Sequence, residues 1–221
     1  MHTNGIELHP LPAAFFARDT VTVARELLGK VLVSSVDGVV TGGPIVEVEA
    51  YLGSHDMGSH AATKGITKRN SVMYGPPGTA YVYFTYGNHH MLNVVTEAEG
   101  VAGAVLVRAI EPRLGAAEMA RRRDSGRSGP HLGPADLASG PGKLTAALGV
   151  DLSLNGTALG SATLSICDAP PPEASVVSSG RVGLTGGHEL ELRFFLEGNQ
   201  YVSKGRTGPK PPSARTGKGH A

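Results

Sequence analysis

The sequence predicts a single mixed α/β (α+β) domain in which short helices accompany antiparallel strands. With 31 glycines and 15 prolines, the 221-residue chain contains many potential turns, which argues against an all-helical fold. Segments of alternating apolar and polar residues flank Asp37-Gly38, a pair that is typical of a β-hairpin turn. No linker divides the core, so we expect one folded domain over residues 1–203 and a basic, disordered tail over residues 204–221.

Composition restricts the class of protein. The one cysteine, Cys167, excludes an intramolecular disulfide framework and fits a reducing compartment. No secretory signal and no run of about 18 apolar residues occurs, so we expect a cytoplasmic protein with no membrane partner. A net charge of +1 neither requires nor excludes binding to nucleic acid.

The remaining elements follow from periodicity and turn chemistry. Asp19 is expected to cap a helix over residues 20–28, and Gly42-Gly43-Pro44 is expected to form a bulge or bend in a long strand over residues 39–52. A strand ending in Tyr86-Gly87, a strand starting at Asn93 and a strand over residues 104–112 come next. Further helices are predicted over residues 114–123 and 139–148, and further strands near residues 162–166 and 190–196.

Residues 45–60 carry the first candidate site. Ile45, Glu47, Glu49 and Tyr51 alternate with the apolar set Val46, Val48, Ala50 and Leu52, which is expected to face the core. The first set therefore places Glu49 and Tyr51 one pleat apart on the other face. Such a pair, followed by a loop with His55, Asp56 and His60, suits a site that binds a flat ligand and activates water. The alternative is a solvated strand face with Tyr51 at its rim.

Two further patterns favour a binding site. Four of the six tyrosines lie between residues 74 and 86, and Tyr81 and Tyr83 share one strand face. Packing within a sheet is the commoner use of such residues. Arg108 lies inside an apolar strand, where a guanidinium requires a carboxylate or phosphate partner.

Several kinds of site have no support in the sequence. There is no phosphate-binding loop of a nucleotide fold, no CxxC, no HExxH and no G-x-S-x-G. The set His55, Asp56, His60, His89 and His90 matches no metal signature. We therefore expect no metal or cofactor, and a metal-dependent hydrolase built on His55, Asp56 and His60 is a weaker hypothesis.

A set of motifs in fixed order is specific. It comprises VEVEAYLG, a histidine nine residues after Tyr51, Arg69-Asn70, PPGTAYVYFTYG, the Asn93 strand, VLVRAIEP, SGPGKL and RVG. From about residue 15 to residue 202 the chain resembles the alkyladenine (3-methyladenine) DNA glycosylase family of base excision repair. The resemblance implies a curved antiparallel β-sheet flanked by short helices. It also implies a monofunctional hydrolase that acts on damaged purines in double-stranded DNA and has no lyase activity. We expect a monomer that is associated with the nucleoid if the source is bacterial.

The resemblance also assigns roles to residues. Glu49 matches the carboxylate that activates water, and Arg108 matches an arginine near that water. Tyr51, His60 and Tyr83 match the residues that hold the flipped base, and Asn93 matches a pocket residue that clashes with the amine of guanine. Tyr86 matches the side chain that enters the duplex. Contacts to the DNA backbone are expected from Lys64, Lys68, Arg69 and Lys143.

The sequence leaves the range of substrates and one alternative function open. Hypoxanthine and ethenoadenine are neutral, so the sequence leaves open whether deaminated and etheno purines are substrates beside alkylated ones. The alternative function is a non-catalytic binder of damaged or single-stranded nucleic acid that uses the same tyrosines and basic loops. Glu49 argues against that alternative, because a carboxylate facing a DNA backbone reduces affinity.

Overall fold

The fold is organised around an open eight-stranded antiparallel sheet with short helices packed against it, as predicted. A computed structural model describes residues 2–3, 6–59, 61–62, 65–85, 87–125, 131–184 and 189–205. The described strands are β1 (His2–Thr3), β2 (Ile6–Glu7), β3 (Val31–Ser34), β4 (Thr41–Tyr51), β5 (Ala80–Thr85), β6 (His89–Val95), β7 (Ala104–Ile110), β8 (Leu164–Cys167), β9 (Val176–Ser179) and β10 (Arg193–Leu196). The strand order in the main sheet is β5-β6-β7-β4-β10-β9, and β3 pairs with both β4 and β8. The α-helices are α1 (Ala13–Phe16), α2 (Thr20–Leu27), α3 (Ala116–Asp124), α4 (Pro134–Leu137) and α5 (Pro141–Leu148).

The long strand β4 connects the two parts of the sheet. Its first residues pair with β3, and its second half pairs with β7 on one side and β10 on the other. The register shifts between Ile45 and Val48, so a bulge at Gly42-Gly43-Pro44 was wrong, and the alternative of a bend there stays a prediction. Gly43 instead allows the backbone of Glu111 to approach β4 closely, because a Cβ on Gly43 would collide with the carbonyl oxygen of Glu111.

Local sequence patterns predicted the positions of several elements correctly. The Asp19 side chain accepts a hydrogen bond from the N–H of Thr22, and this caps α2 as predicted. Asp37 and Gly38 both have positive φ, at 55° and 72°, as the predicted turn between β3 and β4 requires.

Other boundaries differ from the prediction. Strand β6 begins at His89 rather than at Asn93, because pairing with β5 continues as far as Thr85. Strand β9 was missed. Its four residues are all only partly buried, so the sequence there lacks a clear apolar face.

Both faces of β4 are buried. Val46, Val48 and Ala50 are buried as predicted, whereas Leu52 is 37% exposed because the strand ends before it. Glu47 and Glu49, on the opposite face, are also fully buried. The alternative of a solvated strand face is therefore wrong, and two carboxylates lie inside the protein.

In the described part of the chain, no helix combines the length and the apolar character that crossing a bilayer requires.

Candidate active site

Glu49 lies at the centre of the candidate site and has no exposed surface. Its Oε1 accepts a hydrogen bond of 2.7 Å from the backbone N–H of Val182 and lies 3.2 Å from Nη1 of Arg108. Its Oε2 accepts a hydrogen bond of 2.9 Å from the Tyr51 hydroxyl. A carboxylate has about four acceptor positions, so the described partners leave one on Oε2 for another donor, such as a water molecule.

Glu47 holds the next layer of the site together. Its Oε1 accepts bonds of 2.7 Å from Nε of both Arg108 and Arg193, and one of 2.8 Å from the Ser203 hydroxyl. Its Oε2 accepts the Ser203 backbone N–H at 2.6 Å. Arg108 therefore lies between two carboxylates, Glu47 and Glu49. This confirms that its position in an apolar strand requires acidic partners.

Burial and charge act in opposite directions on these groups. Burial raises the pKa of Glu47, but Arg108, Arg193 and the Ser203 N–H outweigh it, and the net pKa lies below the ordinary value. Burial lowers the pKa of Arg108, but Glu49 and Glu47 raise it above the ordinary value. Burial and the neighbouring Glu49 raise the pKa of Tyr51 well above 10.0, so its hydroxyl stays protonated at neutral pH and donates a hydrogen bond to Glu49.

A cavity of about 310 Å³ opens beside Glu49. This is near the lower end of the ~300–1,000 Å³ that small-molecule sites occupy. Its wall combines aromatic, thioether and small residues with a few polar groups, which suits a flat, partly apolar ligand. The lining residues include Glu49, Tyr51, Met73, Tyr81, Tyr83, Met91, Asn93, Leu106, Arg108 and Val182.

Tyrosines form much of this wall. The rings of Tyr81 and Tyr83 lie 5.3 Å apart at an angle of 42°, and the Arg69 guanidinium lies 5.1 Å from the centre of the Tyr83 ring. Burial raises the pKa of Tyr81 to about 12. Asn93 is buried and donates a 3.0 Å hydrogen bond to the carbonyl of Tyr81, which fixes its amide at the cavity wall.

The structure therefore brings together Glu49, Tyr51, Tyr83, Asn93 and Arg108, which lie around one cavity. His60, Tyr86 and Lys64 lie outside the described residues.

The described basic residues occupy different surroundings. Lys68 is exposed, and Lys143 Nζ lies 4.0 Å from Asp136 Oδ1. Arg69 Nη2 donates a 2.8 Å bond to the Phe84 carbonyl. Contacts of Lys68, Arg69 and Lys143 with the DNA backbone stay a prediction.

Several site residues received no role from the sequence. Arg193 lies in the apolar segment Leu192–Leu196 just as Arg108 lies in its strand, so the same signal could have found it. Glu47 was one of the alternating carboxylates but received no role. Val182 acts through its backbone N–H, which no side-chain pattern reveals.

Of the residues proposed for a metal site, Asp56 has another partner. The Asp56 carboxylate binds both terminal nitrogens of Arg181 at 2.6 Å. Within the described residues, no group of three or more His, Cys, Asp or Glu side chains is placed to hold a metal ion. Asp56 is therefore not available as a metal ligand, which weakens the hypothesis of a metal-dependent hydrolase.

Comparison with known proteins identifies the family of the chain. A family model described as Methylpurine-DNA glycosylase matches residues 14–200. A relative from Methanoculleus marisnigri, named as a candidate 3-methyladenine DNA glycosylase, is 52% identical over 198 residues, which cover 88% of this chain and 98% of the relative. A relative of the same name from Chlorobium luteolum is 47% identical over 194 residues, which cover 87% and 95%. With this extent of similarity, the chain belongs to the methylpurine-DNA glycosylase family.

Proposed function

We propose that this protein is a DNA glycosylase that flips alkylated purines out of duplex DNA and hydrolyses their N-glycosidic bond. The observation that carries the proposal is a fully buried carboxylate, Glu49, at the wall of a tyrosine-lined cavity. The family match and the names of the relatives support the substrate class.

The burial of Glu49 supports base flipping as part of the proposal. A nucleotide stacked in a duplex cannot reach a carboxylate that has no exposed surface, so the nucleotide must enter the cavity. Flipping costs a few kcal/mol and is cheapest for a damaged, poorly paired base. Stacking on Tyr51 and Tyr83 returns ~1–3 kcal/mol per contact. A cationic N-alkylated purine gains further cation–π attraction from these rings.

In the proposed reaction, Glu49 accepts a proton from a water molecule whose oxygen attacks C1′ of the damaged nucleotide. The C1′–N bond breaks, and its electron pair leaves with the base. An oxocarbenium-like transition state develops positive charge at C1′, which a carboxylate stabilises. The N–H of Val182 and the Tyr51 hydroxyl fix the carboxylate, and Arg108 links it to Glu47.

A monofunctional mechanism fits the described cavity, whose lining residues include no lysine that could form a Schiff base. The product would be an abasic site in an intact strand. Deaminated and etheno purines are neutral, and their release would depend on protonation of the base. We include them among the substrates to be tested.

The test compares wild type with Glu49→Gln on three substrates in the presence of EDTA. The substrates are methylated DNA and duplexes that contain a single ethenoadenine or a single hypoxanthine. We expect wild type to release base from methylated DNA without nicking the strand, whereas Glu49→Gln binds the lesion without releasing it. The control is Glu99→Gln, which makes the same chemical change at an exposed residue.

Each outcome distinguishes between hypotheses. Release by Glu49→Gln at the wild-type rate would remove Glu49 from the mechanism. Binding of all lesions without release by wild type would favour the non-catalytic binder. Loss of activity in EDTA would favour a metal-dependent hydrolase.

A further inference from the structure

A second buried ion pair lies behind the cavity and has no part in the mechanism above. Asp56 and Arg181 are 1% and 0% exposed, and both terminal nitrogens of Arg181 bind the carboxylate at 2.6 Å. Burial raises the pKa of Asp56, but the bonds from Arg181 and from two backbone N–H groups outweigh it and lower the pKa below the ordinary value.

This pair connects three chain segments that line the cavity. Arg181 Nη1 donates a 2.9 Å bond to the carbonyl of Ala50, which precedes Tyr51 on β4. The Asp56 carboxylate accepts the backbone N–H groups of Leu52 and Gly58 at 3.0 and 2.9 Å.

Two contacts lead from the pair to groups that would touch the substrate. The Arg181 guanidinium lies 4.7 Å from the centre of the Tyr51 ring. The next residue, Val182, donates its N–H to Glu49 at 2.7 Å. The Asp56–Arg181 ion pair thus holds two groups in place. One is the Tyr51 ring, and the other is the Val182 N–H that binds the Glu49 carboxylate.

Close packing leaves this pair little room to move. A Cβ on Gly58 would lie 2.5 Å from Arg181 Nη2 and 2.7 Å from Cδ1 of Leu184. Displacement of Arg181 would therefore shift the segments that carry Gly58 and Val182, and both residues line the cavity.

We propose that Asp56 and Arg181 are positioning residues, which set the places of Glu49 and Tyr51 through Val182 and through ring contact. The proposal rests on the proposed function for its effect on base release. The buried pair is also part of the scaffold, so the test must separate positioning from stability.

The experiment measures single-turnover base release from methylated DNA and amide hydrogen exchange at Val182, both well below the unfolding transition. The variants are Asp56→Asn, Arg181→Met and Arg181→Lys. We expect Asp56→Asn and Arg181→Met to lower the single-turnover rate by about 10- to 100-fold, because small displacements of reacting groups have effects of this size. Exchange at Val182 should become faster in both.

Arg181→Lys tests the geometry. Lysine keeps the charge but cannot bind a carboxylate with a planar fork. We expect a single-turnover rate between those of Arg181→Met and wild type.

The matched control is Leu27→Ala, which destabilises the main core at a fully buried residue of α2 outside the cavity lining. If stability alone mattered, this variant would lower the rate as much as Asp56→Asn, and that result would overturn the proposal. Unchanged exchange at Val182 in Asp56→Asn would also overturn it, whatever the wild type releases. Absence of base release by wild type is a separate result, which would overturn the proposed function.

Discussion

At the scale of single residues, the proposed mechanism gives Tyr51 two functions, stacking on the base and orientation of Glu49. Its ring lies in the cavity wall, and its hydroxyl donates a 2.9 Å hydrogen bond to Glu49. The raised pKa of this hydroxyl keeps it a donor across the neutral range. Stacking and orientation of the carboxylate therefore depend on different atoms of one side chain and can be separated by substitution.

Tyr51→Phe keeps the ring and removes the hydroxyl. A hydrogen bond to a charged group contributes ~1.5–3 kcal/mol, so we expect a loss of about 10-fold or more in the single-turnover rate of base release. Affinity for lesion-containing duplex should change little, because the stacking surface is retained. Rate and affinity are measured on the same methylated duplex.

The control for this change is Tyr74→Phe, which removes a hydroxyl from a partly buried tyrosine outside the cavity lining. It should leave both quantities unaltered. A Tyr51→Phe variant that releases base at the wild-type rate would show that the hydroxyl does not orient Glu49.

At the scale of elements, the two carboxylates of β4 connect strands that are distant in sequence. Glu47 binds Arg108 of β7, Arg193 of β10 and Ser203 beyond the last strand. The bulge between Ile45 and Val48 lies at this junction, and bulges commonly redirect side chains near functional sites.

This junction predicts a specific dependence of stability on pH. The pKa of Glu47 is lowered in the folded protein, so its contribution to stability is present above the unfolded pKa of ~4.3 and is lost as pH falls through the lower folded pKa. Glu47→Gln should reduce the free energy of unfolding by ~3–5 kcal/mol at neutral pH, because it leaves buried cations without their partner. The difference from wild type should shrink below about pH 4.

Urea unfolding at a series of pH values from ~7 to ~3 measures this difference. Asp56 also has a lowered pKa, so the variant retains part of the acid dependence. For the control Glu99→Gln, at an exposed residue, the free energy of unfolding should depend on pH as it does for wild type. A difference between Glu47→Gln and wild type that is constant with pH would contradict the assignment.

The sequence predicted those parts of the site that local patterns encode. Alternation along β4 placed Glu49 and Tyr51 on one face, and the apolar surroundings of Arg108 required an acidic partner, which the structure confirms. The turn at Asp37-Gly38 and the capped α2 were also local signals. The roles of the site residues came from family resemblance rather than from these patterns.

What the sequence did not reveal depends on contacts between distant segments. Asp56 and Arg181 are 125 residues apart, and Val182 contributes only a backbone N–H. Neither leaves a periodic pattern. Strand β9 was missed for a related reason, since its pairing with β10 rather than its own composition defines it.

At the scale of the whole molecule, the structure bears on where the folded domain ends. Ser203 is 8% exposed and binds Glu47 through its N–H and its hydroxyl. Gly205 lies so close to Val182 that a Cβ would meet its Cγ1 at 2.5 Å. The segment 203–205 therefore packs against the layer behind the cavity. The rest of the predicted tail, residues 206–221, lies outside the described residues, and its disorder stays a prediction.

Two truncations test this boundary. A chain that ends at Gly205 keeps the contacts of Ser203 and should match the full chain in free energy of unfolding to within about 0.5 kcal/mol. A chain that ends at Val202 loses both hydrogen bonds to Glu47, each worth ~1.5–3 kcal/mol because the acceptor is charged. We expect it to be several kcal/mol less stable by urea unfolding, with Ser203→Gly in the full chain lying between the two. Equal stability of both truncated chains would mean that Glu47 does not need Ser203. Comparison of the full chain with the chain that ends at Gly205 also tests DNA binding by the lysines and arginines that follow residue 205. Removal of those cations alone should flatten the salt dependence of DNA binding only if they contact phosphates.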